Sequence, residues 1–161
     1  IRDSRTQPMA GRSFEDSLKA VVQHFSTARD GCVTLDMTGD AFPLSRFITG
    51  NLLLVAQEAI RNACNHAQAA HIRVTVQHEP SLRTVKVTVH DDGSGFSVEK
   101  AAGPQHGHFG LQGMRERIEG LGGELTIESA PGCGTTISAT VVATAHDAAL
   151  NGADDVQAAA R

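Results

Sequence analysis

The stretch VTVHDDGSGF, residues 87–96, alternates apolar and polar residues and then breaks into two carboxylates and two glycines. Successive side chains of a strand point to opposite faces of the sheet, so Asp91 continues the apolar series of the valines. If the strand extends through Asp91, its carboxylate faces the buried side, where an unpaired charge is costly. We therefore expect Asp91 to meet a donor, and Gly93 and Gly95 to leave room for an incoming ligand.

A plain turn is the alternative for the same stretch. Asp-Gly is a common turn pair, and Asp92 can cap its own backbone. The glycine spacing does not fit a dinucleotide-binding fingerprint, because the pattern G-x-G-x-x-G fails at Val98.

Composition narrows the classes of function. The 161 residues carry a net charge of -4 with no basic run, and aromatic residues make up only 4%, so nucleic-acid binding is not expected. The three cysteines are widely spaced, which argues against a disulfide framework or structural zinc and favours a cytoplasmic location. No apolar run approaches the roughly 20 residues that span a bilayer, so this stretch of chain is expected to make no direct membrane contact, although a longer parent protein could be membrane-anchored.

Apolar periodicity predicts alternating helices and strands. Helices are predicted at 13–26, 44–67 and 111–121, and strands at 32–37, 72–77, 84–90, 124–129 and 135–143. Residues 97–110 show no period and are expected to form a mobile loop. This order predicts an α/β sandwich, with one mixed five-stranded sheet and about three helices on one face. We expect residues 1–12 to be a linker, 13–143 to be the domain, and 144–161 to be a disordered, Ala-rich tail.

The long helix has a polar face of unusual composition. Glu58, Arg61, Asn62, Asn65 and His66 fall within an arc of roughly 140°. A solvated helix face is one interpretation, but asparagines are poor helix formers and need another reason to be there. Glu58 and Asn62 are one turn apart, so a carboxylate and an amide oxygen could reach one hard cation such as Mg²⁺, and Glu58 could take a proton.

Three glycines spaced three residues apart lie at the start of the last predicted helix. Gly107, Gly110 and Gly113 lie where free backbone N–H groups and the positive end of a helix dipole meet. Such a helix entry can cradle a phosphate without a Walker lysine, and Arg115 and Arg117 add positive charge. A merely flexible loop is the alternative.

Four segments taken together resemble a known family. QEAIRNACNHAQA, DDGSGF, GHFGLQGMRERIEGLGG and PGCGTT occur in the order and spacing of the N, G1, G2 and G3 boxes of sensor histidine kinase catalytic domains. The similarity is greatest to the nitrate-sensor and degradative-sensor subfamily, within the superfamily that also contains gyrase, the heat-shock chaperone and MutL. It implies the Bergerat ATP-binding fold over residues 13–143.

The resemblance implies a role for each matching residue. Asn62 would ligate the Mg²⁺ that bridges the phosphates, Glu58 would be the base or orienting group for the nucleophile, and Asp91 would accept from the adenine amino group. The remaining nucleotide-contacting positions would be Gly93 and Gly95 at the base, Gly110, Leu111 and Gly113 at the phosphates, and Thr135 in support of Asp91. Asn65 stands where the subfamily usually carries lysine, so His66, Arg61 or Arg115 would have to compensate.

The resemblance also implies partners: ATP, a dimerisation domain that carries the phosphoacceptor histidine, and a response regulator. No acceptor motif lies upstream of residue 13, and His24 is interpreted as structural. The leading hypothesis is therefore a catalytic domain that binds Mg-ATP and donates the γ-phosphoryl group to a histidine elsewhere. The alternatives are a serine kinase of the anti-sigma-factor kind, an ATPase module of the chaperone or mismatch-repair kind, and a nucleotide-gated binding module.

Overall fold

The computed structural model describes residues 12–28, 32–101 and 109–144. The predicted linker and tail therefore lie almost entirely outside the described residues, as do His106, Gly107 and His108. None of the helices within the described ranges is long and apolar enough to span a bilayer.

The described residues form four helices and five strands. The helices are α1 (Phe14–Ala28), α2 (Arg46–Asn65), α3 (Val98–Ala101) and α4 (Phe109–Glu119). The strands are β1 (Val33–Thr38), β2 (Ile72–Glu79), β3 (Thr84–Asp91), β4 (Glu124–Ser129) and β5 (Thr135–Val142).

The strands form one mixed sheet in the order β1-β2-β3-β5-β4. Strand β1 pairs with β2 in parallel, and the other three pairs are antiparallel. The three longer helices pack on the sheet, α1 against β1, α2 against its centre and α4 against β4 and β5. The predicted α/β sandwich is confirmed.

The core lies between these helices and one face of the sheet. The register brings Val74, Val89 and Ile137 side by side across the three central strands, and all three are buried. Helices α1 and α2 contribute Leu18 and Leu52, neither of which has any exposed surface. Alternate residues of the central strands face away from the helices and are polar, so the alternation seen in the sequence decides which face is covered.

Serine side chains fix where the first two long helices begin. Ser13 accepts a hydrogen bond from Asp16 N at 3.1 Å, as an N-cap residue does. Helix α2 begins at Arg46 rather than at 44, because the buried side chain of Ser45 caps it by accepting from Ile48 N at 3.2 Å.

The prediction of a loop over 97–110 is wrong at both ends. Val98–Ala101 forms a single helical turn that packs against β4, and a contact made through tertiary structure leaves no periodic pattern in so short a segment. At the other end, α4 already includes residues 109 and 110. Residues 102–108 lie outside the described ranges.

Leu52 provides a test of the packing. The substitution Leu52→Ala removes a fully buried side chain from the face of α2 against the sheet, and we expect it to lower the free energy of unfolding by about 2–5 kcal/mol. Leu82→Ala is the control, since Leu82 is 69% exposed and should change stability by less than about 0.5 kcal/mol. Urea denaturation measures both values, and similar values for the two variants would contradict this packing.

Candidate functional site

A cavity of about 390 Å³ opens between α2, the end of β3, the start of α4 and β5. It brings together residues that are far apart in the sequence. Its lining includes these predicted site residues: Glu58, Asn62, His66, Asp91, Gly95, Gly110, Leu111 and Thr135. Also in its wall, and missed by sequence reasoning, are Ala59, Ala63, Ala67, Ser94, Phe96 and Ile137.

The other two predicted site residues lie outside this lining. A Cβ atom at Gly93 would overlap the Ala67 carbonyl oxygen and approach Asp91 Oδ1 to 2.8 Å. Gly93 is therefore constrained by packing between two loops. A Cβ at Gly113 would meet no atom of the described residues within 4 Å, so none of them requires glycine at this position of α4.

Asp91 occupies the position that strand parity predicts. Strand β3 extends through it, and it pairs with Ile72 of β2 on one side and Thr135 of β5 on the other. Only 5% of Asp91 is exposed. Its Oδ1 accepts a hydrogen bond from Gly93 N at 2.9 Å, which leaves much of the acceptor capacity of a carboxylate for a donor in the cavity.

Thr135 supports Asp91 through strand pairing, and its hydroxyl is directed to Ser129. Ser129 Oγ donates to Gly134 O at 2.9 Å and accepts from Phe96 N at 2.9 Å. The Thr135 and Ser129 hydroxyls are 3.0 Å apart, and the single Ser129 proton is already donated, so Thr135 is the donor between them. Ser129 thus ties the loop after Asp91 to the turn before β5, a role that its place at a strand end did not indicate.

Asp92 binds a neighbouring loop instead of capping its own backbone. Its Oδ1 accepts from Ala70 N at 2.8 Å and His71 N at 2.9 Å, and its Oδ2 lies 2.9 Å from His71 Nδ1. Close to this contact, Ser94 N, two residues after Asp92, donates to Ala67 O at 2.7 Å. The hydrogen bonds from the His71 backbone and ring hold the pKa of Asp92 below its ordinary value of 3.8.

Glycines allow the turn before β5 to contact this loop closely. Gly134 has a φ of +72°, and a Cβ there would overlap the Asp91 carbonyl oxygen. Gly95 has a φ of +59°, and a Cβ there would overlap the Ala130 carbonyl oxygen. Both the backbone conformation and the space exclude a side chain at these two positions, so the wall around Asp91 is built from backbone in direct contact.

Glu58 lies where α2 meets the start of α4. Its Oε2 is paired with the Arg61 guanidinium one turn further along the helix. A Cβ at Gly110 would overlap Glu58 Oε1, so glycine lets the backbone of α4 lie against this carboxylate. The glutamate is only 20% exposed, whereas Arg61 is 60% exposed.

The residues proposed to replace the missing lysine are not equivalent. Asn65 is exposed at the end of α2. Arg61 is paired with Glu58, and Arg115 Nη1 donates to Leu125 O at 3.4 Å. Of the three candidates only His66 lines the cavity, and the described part of the lining contains no lysine or arginine.

Asp92 gives a test that depends on pH. Because its pKa is lowered in the folded state, its contribution to stability is present above pH 3.8 and is lost as the pH falls through the lowered value. Asp92→Ala should therefore lower the melting temperature at pH 7, and the difference from wild type should shrink below pH 3.8.

Asp36→Ala is the control for that measurement. Asp36 is also on the surface, and its carboxylate lies 3.9 Å from Arg73 Nε with both side chains more than 60% exposed, so its loss should change the melting temperature little. An Asp92→Ala difference that stays constant from pH 7 to pH 2.5 would contradict the role given to this carboxylate.

Comparison with known protein families and sequences gives a consistent result. Residues 49–145 match the family described as histidine kinase-, DNA gyrase B- and HSP90-like ATPase. The signal transduction histidine-protein kinase/phosphatase DegS of Brevibacillus brevis is 34% identical over 91% of this chain and 37% of its own. The nitrate/nitrite sensor protein NarQ of Escherichia coli K12 is 35% identical over 81% of this chain and 21% of its own. The chain thus spans well under half the length of these relatives.

Solved structures show the same fold. The histidine kinase domain of the blue-light activated histidine kinase from Erythrobacter litoralis EL346 aligns with a TM-score of 0.66 at 24% identity, over 84% of this chain and 64% of that one. The catalytic domain of the histidine kinase ThkA aligns with a TM-score of 0.65 at 16% identity, over 84% of this chain and 96% of that one. With its fold shared and more than half of its length matched, the chain belongs to the histidine kinase-, DNA gyrase B- and HSP90-like ATPase family.

Proposed function

We propose that this chain is the ATP-binding catalytic domain of a two-component sensor histidine kinase. It binds Mg-ATP and donates the γ-phosphoryl group to a histidine on a separate dimerisation domain, from which the group passes to a response regulator. The observation that carries this proposal is the single cavity that contains both the buried Asp91 and the polar pair Glu58 and Asn62. The relative DegS is named a histidine-protein kinase, which favours histidine over serine as the acceptor.

Helix α2 sets the separation between the two ends of the nucleotide. Asp91 lies near the C-terminal end of α2, because the loop that follows it is hydrogen-bonded to Ala67. Glu58 lies seven residues before Asn65, the last residue of α2, which corresponds to about 10 Å along a helix. A nucleotide with its base at Asp91 would extend along α2, past Asn62, with its terminal phosphate toward Glu58.

The adenine end would be recognised by Asp91. Its carboxylate would accept a hydrogen bond from the exocyclic amino group, which a guanine lacks at that position. Ile137 and Ala63 line the cavity with it and offer apolar contact to the ring. Gly93 and Gly95 would then act at the base mainly by fixing the loop whose backbone closes this end.

The phosphate end would combine neutral donors with a cation. The first turn of α4 brings Gly110 and Leu111 to the cavity, where free backbone N–H groups of a helix start can bind phosphate oxygens, with Gly113 one turn further on. Asn62 would hold Mg²⁺ through its amide oxygen, and His66 would contact the phosphates. The metal would neutralise phosphate charge.

No group of three His, Cys, Asp or Glu side chains within the described residues could bind a metal ion by itself. This fits a cation that takes most of its ligands from phosphate and water, as Mg²⁺ commonly does.

Glu58 would act on the acceptor. Its carboxylate faces the cavity beside Gly110 while Arg61 holds its other oxygen. There it would orient the incoming imidazole and take the proton from that ring as the phosphoryl group is transferred. The domain itself needs no covalent nucleophile, since positioning and charge neutralisation supply most of the catalysis in phosphoryl transfer.

A nucleotide-gated binding module is the second candidate. Arg61 is paired with Glu58, Arg115 donates to Leu125 O, and neither arginine lines the cavity; a lack of cationic side chains at the phosphates would favour binding over transfer. ATP binding without any phosphohistidine, with the dimerisation domain present, would identify this function. The proposed location is the cytoplasm, where ATP and the regulator are available.

Two adjacent aspartates test the base site. Asp91→Asn replaces an acceptor by an amide that can present its N–H₂ to the adenine amino group, and we expect ATP affinity to fall about 10- to 100-fold, as for loss of a charge-assisted hydrogen bond. Asp92→Asn should leave affinity within about twofold of wild type, because Asp92 binds His71 outside the cavity. Isothermal titration calorimetry with Mg-ATP measures both, and an unchanged affinity for Asp91→Asn would refute the adenine assignment.

Glu58 can be tested separately from binding. Glu58→Gln should leave ATP affinity within about threefold of wild type but slow formation of acid-labile phosphohistidine by about 10²- to 10⁴-fold, the usual range for a lost general base. The assay uses labelled ATP and the dimerisation domain.

Arg61→Ala is the matched variant for Glu58→Gln, because it breaks the same ion pair but keeps the carboxylate, and it should retain most of the transfer rate. Equal losses in the two variants would assign the effect to the ion pair, not to proton transfer.

A further inference from the structure

The outer surface of α2 carries two large apolar side chains that the domain does not bury. Phe47 is 65% exposed and Leu54 is 45% exposed. They are seven residues apart, so they project within about 20° of each other around the helix axis. Among the residues whose burial is described, the other two exposed large hydrophobic residues are Leu82 and Val142, which lie at the far end of the sheet from the cavity.

Gly50 lies between Phe47 and Leu54, and the structure of the domain does not explain why this position is a glycine. It is three residues after Phe47 and four before Leu54, in the interior of α2. A Cβ there would meet no atom of the described residues within 4 Å, so neither packing within this part of the chain nor a turn requires glycine, which destabilises a helix interior relative to alanine. Because Gly50 has no side chain, a small depression, here called the notch, lies between the side chains of Phe47 and Leu54. Another molecule can approach the helix backbone closely there.

The same surface leads to the reacting end of the cavity. Glu58 is one turn beyond Leu54 and projects within about 40° of it. Eleven residues separate Phe47 from Glu58, about 16 Å along the helix. Any element that packs along Phe47, Gly50 and Leu54 therefore extends directly to the carboxylate beside Gly110.

We propose that Phe47, Gly50 and Leu54, here called the docking stripe, bind the helix of the dimerisation domain that carries the phosphoacceptor histidine. The partner surface is the apolar face of an amphipathic helix, with residues at i, i+3 or i+4, and i+7 over the stripe. One of its side chains fills the notch at Gly50, and its histidine reaches Glu58. This inference rests on the proposed function and adds to it the surface that brings the acceptor to the cavity.

The position of the stripe favours this occupant over a second copy of the chain. Phosphoryl transfer requires the acceptor to be held at Glu58, and the stripe is the apolar surface of α2 that continues to it. A second copy seated there would cover the approach to Glu58 without supplying an acceptor. The relatives extend far beyond the length of this chain, which leaves room in such proteins for a helical acceptor domain.

Charge insertion tests the stripe. The double substitution Phe47→Asp and Leu54→Asp should leave ATP affinity of this chain unchanged in calorimetry. In contrast, it should slow phosphohistidine formation at least about tenfold when the dimerisation domain is present, in cis or added in trans. Leu82→Asp is the matched control, since it also charges an exposed leucine, and should transfer at the wild-type rate. A wild-type rate for the double variant would overturn the proposal.

Gly50→Ala is a milder test that cannot act by unfolding the domain. It should keep or raise the melting temperature, because a helix interior gains from alanine, and it should slow transfer severalfold by filling the notch. Transfer at the wild-type rate in this variant would show that no partner approaches Gly50.

Crosslinking identifies the occupant without depending on transfer. A photoreactive benzoylphenylalanine in place of Phe47 should crosslink to the histidine-bearing helix, whereas the same group in place of Leu82 should not. A crosslink to a second copy, to the chain's own C-terminal segment, or to nothing would overturn the proposal. If the wild-type protein binds ATP but forms no phosphohistidine, the proposed function is wrong. The crosslink still shows whether the docking stripe binds a helix of the dimerisation domain.

Discussion

The burial of one carboxylate at the end of a strand is the constraint around which this domain is built. Asp91 is held between β2 and β5 by strand pairing, and only one of its oxygens is hydrogen-bonded to the backbone after it. A carboxylate in that position is costly unless a donor reaches it. Asp91 lines the cavity, so a further donor can reach it from there, and under the proposed function that donor is the adenine amino group.

The loops around Asp91 are held in place by hydrogen bonds to other segments of the chain. Asp92 fixes one side through Ala70 and His71, while Ser129 fixes the other through Phe96 and Gly134. Helix α2 then relates this end of the cavity to Glu58 by its own rise per residue, so the distance between the proposed base site and Glu58 is set by secondary structure. Precise spacing of this kind is what transfer to a separate acceptor requires.

Local patterns were sufficient to predict much of this. Alternation placed the strands and the inward side of Asp91, and helical periodicity placed Glu58 and Asn62 on one face. What could not be predicted depends on contacts between distant segments. The partner of Asp92 is 21 residues away, the role of Ser129 depends on a turn and a loop that meet only in the fold, and Arg115 is directed to β4 by packing. Helix α3 has too few residues to show a period.

Electrostatics makes recognition of the base decisive. The described lining of the cavity contains two carboxylates and no lysine or arginine, so it does not attract a polyphosphate by charge. Under the proposed function, phosphate binding would therefore depend on backbone N–H groups, His66 and the metal. Affinity should therefore depend strongly on the base.

The most direct measurement compares Mg-ATP with Mg-ITP by calorimetry on the unmodified chain. ITP carries a carbonyl oxygen in place of the amino group and would face Asp91 with an acceptor. If Asp91 binds the adenine amino group, ITP should bind at least about tenfold more weakly than ATP. Equal affinities for the two nucleotides would contradict recognition of the adenine amino group by Asp91.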